Sequence, residues 1–266
     1  MPITAQNIFE NLEQVRRQSP LVHNITNYVV MNLTANALLA IGASPVMAHA
    51  PEEVEDMVNI ASALVINIGT LSQPWIHSML KAARQANKKG IPVIYDPVGA
   101  GATPYRTQTI RELIKAVPPT IVRGNASEIM AIAEDTARTK GVDSAAATAT
   151  ALASARRLSE QHDCVVCVSG ETDYIIDKKG MALIKNGHAM MPKVTGLGCT
   201  ASALCGAFAA VNPDCFTATT AAMAVMGIAG EIAAEKAQGP ASLQVHFLDT
   251  LFKLTGEEIE QRLKIS

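Results

Sequence analysis

A turn of small residues late in the chain could bind an anion. Gly196 and Gly198 flank Leu197, and Cys199 follows at the start of a run of small residues. Glycines allow a tight turn and a close approach of the backbone to a ligand. A helix that begins here would direct unpaired N–H groups and the positive end of its dipole at the turn, which suits a phosphate. We expect Cys199 at the mouth of this site, where a helix N-terminus lowers the pKa of a thiol.

Two further segments place charged residues beside glycines. Asp96 opens the loop Asp-Pro-Val-Gly-Ala-Gly, and Arg123 opens Arg-Gly-Asn-Ala-Ser-Glu, which ends at Glu128. A turn preset by Pro97 is an alternative interpretation of Asp96, and helix capping by Asn125 explains Glu128. Capping does not explain Arg123, because an apolar strand has no structural need to end in a cation. Two carboxylates close to an arginine are typical of a site for Mg²⁺ and phosphate.

Other chemistries have less support. Gly196–Ala201 also fits the dinucleotide pattern G-x-G-x-x-A, but a helical tail follows, and the acidic candidate Asp214 lies in an Asn-Pro-Asp turn. The chain contains no Gly-Lys dipeptide, so it has no P-loop. His23 and His49 lack further ligands at zinc spacing and are interpreted as structural. A hydrolase nucleophile at Cys199 would need a histidine partner, which the sequence does not identify.

Short apolar runs separated by helical patterns predict the elements that position these residues. Strands are predicted at Leu21–Ile25, Ser44–Met47, Leu64–Ile68, Ile91–Tyr95, Thr120–Arg123, Val165–Ser169, Tyr174–Asp177 and Met181–Lys185. Helices are predicted at Ala5–Gln18, up to Ala40, from Ala50, and at Pro74–Lys88, Thr107–Ala116, Ala126–Ala133 and Ser144–Glu160, with a mostly helical tail from Cys199. Continuous apolar strands between helices indicate a parallel sheet covered on both faces, and the last strands, which lack intervening helices, indicate an antiparallel edge. We expect a single α/β domain over residues 1–266.

The loops that follow the predicted strands are rich in Asn, Thr, Gly and Asp. They are Asn24–Asn27, Met47–His49, Gly69–Thr70, Asp96–Thr103, Arg123–Asn125 and Ser169–Glu171. In open α/β sheets ligands bind outside the carboxyl ends of the strands. The sequence therefore predicts one polar cleft at this edge of the sheet, with Asn24 among the candidates for substrate binding.

The bulk composition excludes several classes of protein. The chain is 48% hydrophobic and 17% charged, with a net charge of −2 and only 4% aromatic residues, so we expect no nucleic-acid partner. The apolar stretch 218–234 is Ala-rich and short for a membrane span, and the N-terminus has no apolar signal core. Five cysteines do not suggest a disulfide framework, and Cys164 and Cys167 are interpreted as core residues of a strand. A soluble protein of the cytoplasm is expected, without membrane contact.

Several segments together resemble the hydroxyethylthiazole kinase family of thiamine synthesis. They are His23–Asn27, Gly42–Met47, Tyr95–Thr103, Val122–Glu128 and Val194–Ser202, in the same order along nearly the whole chain. The resemblance implies a ribokinase-like three-layer fold and a homotrimer whose sites lie between subunits. It also implies transfer of the γ-phosphoryl group of ATP to the hydroxyl of 4-methyl-5-(2-hydroxyethyl)thiazole.

The same resemblance implies roles for individual residues. Met47 and Gly196 would contact the thiazole. Arg123 and Ser169 would contact ATP, although family members usually have threonine in place of Ser169. Asp96 and Glu128 would organise Mg²⁺. Cys199, beside Gly198 in the turn, falls where most ribokinase-like enzymes have an aspartate base, and the thiazole kinases also have cysteine there.

Two other functions remain open from the sequence. A related vitamin kinase or a nucleotide-dependent dehydratase on the same fold would keep the turn and change the substrate pocket. A ligand sensor without catalysis would keep only the fold. The joint presence of Asp96, Arg123, Glu128 and Cys199 favours an enzyme over the sensor.

Overall fold

The protein is built around one eight-stranded sheet. The computed structural model describes residues 3–133 and 144–266. Within them the strands are β1 (Leu21–Ile25), β2 (Ser44–Val46), β3 (Ala63–Asn67), β4 (Val93–Asp96), β5 (Ile121–Asn125), β6 (Val165–Ser169), β7 (Asp173–Ile176) and β8 (Met181–Ile184). Their order in the sheet is β2-β1-β3-β4-β5-β6-β7-β8. The pairs from β2 to β6 are parallel, whereas β7 pairs antiparallel with both β6 and β8, which confirms the predicted edge.

Helices cover both faces of this sheet. They are α1 (Ala5–Gln18), α2 (Met31–Ala40), α3 (Val54–Ile60), α4 (Gln73–Lys89), α5 (Pro104–Ala116), α6 (Ala126–Ile132), α7 (Ser144–His162), α8 (Leu197–Val211), α9 (Cys215–Lys236), α10 (Pro240–Lys253) and α11 (Gly256–Arg262). Their ends follow the local sequence: Ser72 caps α4 through a hydrogen bond from the Trp75 N–H, and Gly90 ends it with a left-handed φ of 78°.

Alternation along the strands separates the core into two hydrophobic layers. In β3, Ala63 and Val65 face one layer, whereas Leu64 and Ile66 face the other. The first layer is filled from α1, α2, α8, α9 and α10, and the second from α3 to α7. Three layers result, as predicted. Helix α8 lies close to the sheet because Gly206 has no side chain: a Cβ there would lie 2.7 Å from Val65 Cγ2.

The structure shifts some predicted boundaries. Asp96 is the last residue of β4 rather than the first of a loop, and Arg123 lies inside β5. Helix α5 begins at Pro104 because the Thr103 hydroxyl accepts a hydrogen bond from the Arg106 N–H. Helix α3 begins at Val54, four residues after the predicted start at Ala50. Residues that carry charge at the strand ends are thus held by the sheet itself.

Helix α9 is long and apolar enough to cross a membrane by length and composition. In the fold, 78% of its most apolar window is buried, and its side chains belong to the core layer that it shares with α8 and α10. These properties are those of a core helix.

Candidate active site

The glycine turn begins helix α8 at the carboxyl edge of the sheet. Gly196 precedes the helix with a left-handed φ of 92°, and a Cβ there would lie 3.0 Å from Val30 Cγ1, so both conformation and space require glycine. Leu197 points into the core and is 4% exposed, whereas Gly198 is exposed. The first N–H groups of α8 have no partner within the helix and line the turn. A helix start of this kind can bind an anion, and the anion site here stays a prediction.

Arg123 ties the strand edge to this turn. Its Nη1 donates a hydrogen bond of 2.9 Å to the Gly198 carbonyl oxygen. The buried Nε atom has no hydrogen-bond partner among the described residues. The guanidinium group is therefore fixed beside the start of α8, and its binding to phosphate stays a prediction.

Asp96 is a buried carboxylate whose environment is finely balanced. It is 1% exposed and accepts a hydrogen bond of 2.6 Å from Asn67 Nδ2. Burial raises the pKa of Asp96 to about 6; Arg123 counteracts this effect and Glu128 adds to it. With a pKa near 6, Asp96 is mostly ionised at neutral pH, and a buried negative charge gains much from a cation.

Glu128 supports the glycine-rich loop that follows β4. Its Oε2 accepts the Asn125 N–H at 2.9 Å, which completes the capping box of α6, and its Oε1 accepts the Gly99 N–H at 2.8 Å. Glu128 therefore caps α6, as the sequence predicts, and also holds the loop next to Asp96; its role in Mg²⁺ binding stays a prediction. Among residues 3–133 and 144–266, no group of three or more His, Cys, Asp or Glu side chains could hold a metal ion.

Cys199 lies half-buried in the first turn of α8, with its sulfur 3.5 Å from Asn27 Nδ2. The expectation of a lowered thiol pKa is wrong. Burial raises the pKa of Cys199 to about 12, and the charge of Asp96 adds to this effect, although hydrogen bonds from Asn67 and Asn27 oppose it. The helix N-terminus favours a thiolate, but desolvation and a neighbouring carboxylate outweigh it here.

The three candidates for substrate contact lie in different environments. Gly196 faces the turn, and Met47 directly follows β2, half-buried. Asn24 is fully buried within β1, where its Nδ2 donates a 2.9 Å hydrogen bond to the Val22 carbonyl oxygen. Of the asparagines in this segment, Asn27 is the one that faces the cleft beside Cys199.

Ser169 ends β6 opposite Asn125, and its hydroxyl donates to the Gly124 carbonyl oxygen at 3.2 Å. It therefore lies on the Arg123 side of the cleft, and its contact with ATP stays a prediction. His23 is buried and its Nε2 donates to the Ala48 carbonyl oxygen at 2.7 Å, which agrees with a structural role. Burial also lowers the pKa of His23.

Sequence reasoning missed Asn67 and Arg106. Arg106 donates from Nη1 to the Val98 carbonyl oxygen and from Nη2 to that of Gly69, and so joins two loops of the cleft. Asn67 contacts Asp96 from the end of β3. A buried asparagine in an otherwise apolar strand was the available signal for Asn67; Arg106 gave none, because it lies in the first turn of a helix.

A comparison with protein families decides the identity of the chain. Residues 12–257 match the model of the "Hydroxyethylthiazole kinase family". The chain belongs to this family. A hydroxyethylthiazole kinase of Syntrophus aciditrophicus is 59% identical over 266 residues, which cover 100% of this chain and 98% of the relative.

Solved structures agree with the sequence relatives. The hydroxyethylthiazole kinase protein of Pyrococcus horikoshii OT3 superposes with a TM-score of 0.91 at 42% identity and covers 98% of both chains. A ribokinase-like superfamily protein of Enterococcus faecalis has a TM-score of 0.70 at 11% identity, over 97% of this chain and 95% of its own. The fold is therefore ribokinase-like, and the chain is a kinase that uses ATP to phosphorylate the thiazole alcohol of thiamine synthesis.

Proposed function

We propose that the cleft around the start of α8 transfers the γ-phosphoryl group of ATP to the hydroxyl of 4-methyl-5-(2-hydroxyethyl)thiazole. The observation that carries this proposal is the convergence of Arg123 on the Gly198 carbonyl, which places a fixed cation beside the exposed N–H groups of the helix. Phosphoryl transfer depends mainly on positioning and on stabilisation of charge. Backbone N–H groups at Gly198 and Cys199 would stabilise charge on the transferred group.

A substrate panel tests this function. The protein is incubated with ATP and, separately, with the thiazole alcohol, with pyridoxal and with other vitamin alcohols, and ADP formation is followed. We expect turnover with the thiazole alcohol to exceed turnover with every other alcohol. Equal or better turnover with another vitamin would contradict the proposal, and hydrolysis of ATP without any phosphorylated alcohol would contradict it as well.

Cys199 is proposed to accept the proton of the substrate hydroxyl. The sulfur belongs to a half-buried residue at the start of α8, next to the turn that would bind the transferred group. Met47 and Gly196 are proposed to form the substrate side of the cleft, with Asn24 fully buried in β1 behind them rather than in contact with the substrate. Arg123 and Ser169 are proposed to bind the ATP phosphates.

Asp96 and Glu128 are proposed to hold Mg²⁺. The donor set fits, because Mg²⁺ takes one or two carboxylates and completes its shell with waters and phosphate oxygens. When bound, the ion would neutralise charge on the triphosphate. Asp96 offers the carboxylate with the greater gain, since burial holds its pKa near 6, while both oxygens of Glu128 already accept backbone N–H groups.

Replacing Asp96 by asparagine is expected to abolish most activity and to stabilise the protein at neutral pH. The pKa of Asp96 lies about two pH units above its ordinary value of 3.8, which corresponds to a destabilisation on the order of 3 kcal/mol once the group is ionised. The folded state binds the Asp96 proton more tightly than the unfolded state does. The resulting stabilisation of the wild type is fully present below pH 4 and is lost as the pH rises through 6.

Thermal unfolding of wild type and of Asp96→Asn at pH 4.5 and pH 8 measures this effect. The increase in melting temperature from wild type to Asp96→Asn should be larger at pH 8 than at pH 4.5. Glu128→Gln serves as the control, because its carboxylate is partly exposed and satisfied by backbone N–H groups. If the increase in melting temperature from wild type to Asp96→Asn is smaller at pH 8 than at pH 4.5, the buried charge of Asp96 does not destabilise the fold.

We also propose a homotrimer of single-domain chains, spanning residues 1–266, that works in the cytoplasm. Tyr28 and Val29 directly follow Asn27, and they are 65% and 64% exposed despite their apolar side chains. Such a patch beside the cleft suits a subunit interface. Light scattering after size exclusion should give three times the chain mass, and Val29→Glu should lower it; a monomeric wild type at micromolar concentration would contradict the trimer.

A further inference from the structure

A pair of buried amides connects Asp96 with the sulfur of Cys199. Asn67 Nδ2 donates to Asp96 Oδ2 at 2.6 Å, and Asn67 Oδ1 accepts from Asn27 Nδ2 at 2.9 Å. Asn27 Nδ2 has a second proton, which faces Cys199 Sγ at 3.5 Å. Asn27 is 4% exposed and Asn67 is 1% exposed, so water does not compete for these bonds. No role described so far uses this pair.

The direction of every bond in this chain is fixed by one backbone group. The Gly69 N–H donates to Asn67 Oδ1 at 2.9 Å, and an N–H can only donate. The Asn67 oxygen must therefore face Gly69 and Asn27, and its nitrogen must face the Asp96 carboxylate. Asn27 in turn must present its nitrogen to that oxygen, and the same nitrogen then meets the sulfur. Cys199 consequently receives a donor rather than an acceptor.

The space around Gly69 holds Asn27 in this orientation. A Cβ at position 69 would lie 2.7 Å from Asn27 Nδ2, 2.8 Å from its Cβ and 2.9 Å from its Cγ. Gly69 does not have a positive φ, so its backbone conformation alone does not require glycine. The requirement comes from the Asn27 side chain, which occupies the place of the missing Cβ.

We propose that Asn67 is a positioning residue: anchored by Asp96 and the Gly69 N–H, it aims the Asn27 amide at Cys199 and so stabilises negative charge on the sulfur during proton transfer. This inference rests on the proposed role of Cys199 as proton acceptor. A hydrogen bond from an amide to a charged acceptor strengthens as the charge develops. In this role Asn67 acts through Asn27, whose Nδ2 lies 3.5 Å from the sulfur.

Two variants disturb the amide pair from different sides. Asn67→Ala removes the bridging amide, whereas Gly69→Ala displaces Asn27 and keeps the contact between Asn67 and Asp96. We expect each to lower kcat by about tenfold to a hundredfold, the range for hydrogen bonds to charged groups, with KM for ATP within about threefold of wild type. If Asn67 instead acted on nucleotide binding through its contact with Asp96, Asn67→Ala would raise KM for ATP.

Matched controls separate positioning from stability. Asn186 is also a buried asparagine; it bonds to the Arg262 carbonyl oxygen at 2.8 Å and accepts the Lys264 N–H at 2.8 Å, on the side of the molecule formed by α9 and the C-terminus. Gly180 has no atom within 4 Å of an added Cβ. Asn186→Ala and Gly180→Ala should leave kcat unchanged, even where Asn186→Ala lowers the melting temperature.

A double-mutant cycle with Cys199→Ala decides the proposal. If Asn67 acts through the sulfur, Asn67→Ala and Gly69→Ala each change kcat by less than about threefold once Cys199 is alanine. An equal loss of kcat in both backgrounds would overturn the inference while leaving Cys199 in its proposed role. A Cys199→Ala enzyme with wild-type kcat would overturn both the inference about Asn67 and the proposed role of Cys199. The single variant Cys199→Ala, measured first, shows whether this is the case. The Gly69→Ala arm keeps the test valid if Asn67→Ala fails to fold.

Discussion

Replacing Gly198 by valine is expected to lower kcat by about 10²–10³-fold or more, the range for loss of one donor to a developing oxyanion. A Cβ at position 198 would lie 3.2 Å from Arg123 Nη1, so even alanine presses on the guanidinium group that bonds to the Gly198 carbonyl. Valine adds two methyl groups on the exposed side of the turn. They would cover the N–H groups of α8 where the transferred phosphoryl group is proposed to bind.

The fold should tolerate this change. Gly198 is exposed, has no positive φ and lies in the first turn of α8, where valine has a better helix propensity than glycine. The only clash is with the end of the Arg123 side chain, which can move without a change in the backbone. Steady-state kinetics with the thiazole alcohol and thermal unfolding measure the two effects, and Gly180→Val in the β7–β8 hairpin is the control. A folded Gly198→Val enzyme with wild-type kcat would remove the anion site from the start of α8.

The sheet could be predicted because its strands are short apolar runs with clear breaks. The run Leu64–Ile68 and the observed β3 (Ala63–Asn67) differ by one residue, and every predicted strand is present. The predicted strand ends at Tyr95 and Arg123 are one and two residues short, because pairing with a neighbouring strand extends β4 and β5 into polar residues. Sequence periodicity carries no signal for such an extension.

The glycine turn, Arg123 and Cys199 could be placed at one edge of the sheet from the order of strands and loops. Their hydrogen bonds could not. The bond from Arg123 to Gly198 joins residues 75 positions apart, and the one from Asn27 to Asn67 joins residues 40 apart. Asn67 was not predicted because it lies within an apolar strand, where a single asparagine does not by itself indicate a functional site.

The pKa of Cys199 was predicted in the wrong direction for a physical reason. A helix N-terminus is recognisable from sequence, and its field falls off within one turn. Burial of the sulfur and its distance to Asp96 depend on the packing of α8 against β3 and β4, which the sequence does not show. In the structure burial is the largest contribution, and the Asp96 charge adds to it.

Cys199→Ala is expected to lower kcat by about 10²–10⁴-fold, the usual contribution of a general base. The residual rate reflects the turn and Arg123, which alanine leaves in place. Cys215→Ala is the matched control, because Cys215 is also half-buried and lies at the start of α9. Its kcat should equal that of wild type.

Cys199→Asp is expected to retain the wild-type rate or to exceed it. With a thiol pKa of about 12, the wild-type base is almost entirely protonated near neutral pH. Burial and Asp96 would also raise the pKa of an aspartate at this place. The ordinary pKa of an aspartate is about five units below that of a thiol, however, and its carboxylate would accept the Asn27 N–H. It therefore remains ionised at pH 8 in spite of the same surroundings.

The pH profile separates the two bases. For wild type, the thiolate fraction rises about tenfold per pH unit below the pKa, so kcat/KM should climb between pH 7 and pH 9. For Cys199→Asp, kcat/KM should be flat between pH 8 and pH 9, since the carboxylate is already ionised at pH 8. One pair of results would show that proton transfer uses another group: a folded but inactive Cys199→Asp enzyme and a nearly normal Cys199→Ala enzyme. An ionised aspartate at this position could accept the proton as the thiolate does, so its failure could not be explained by the lack of a base.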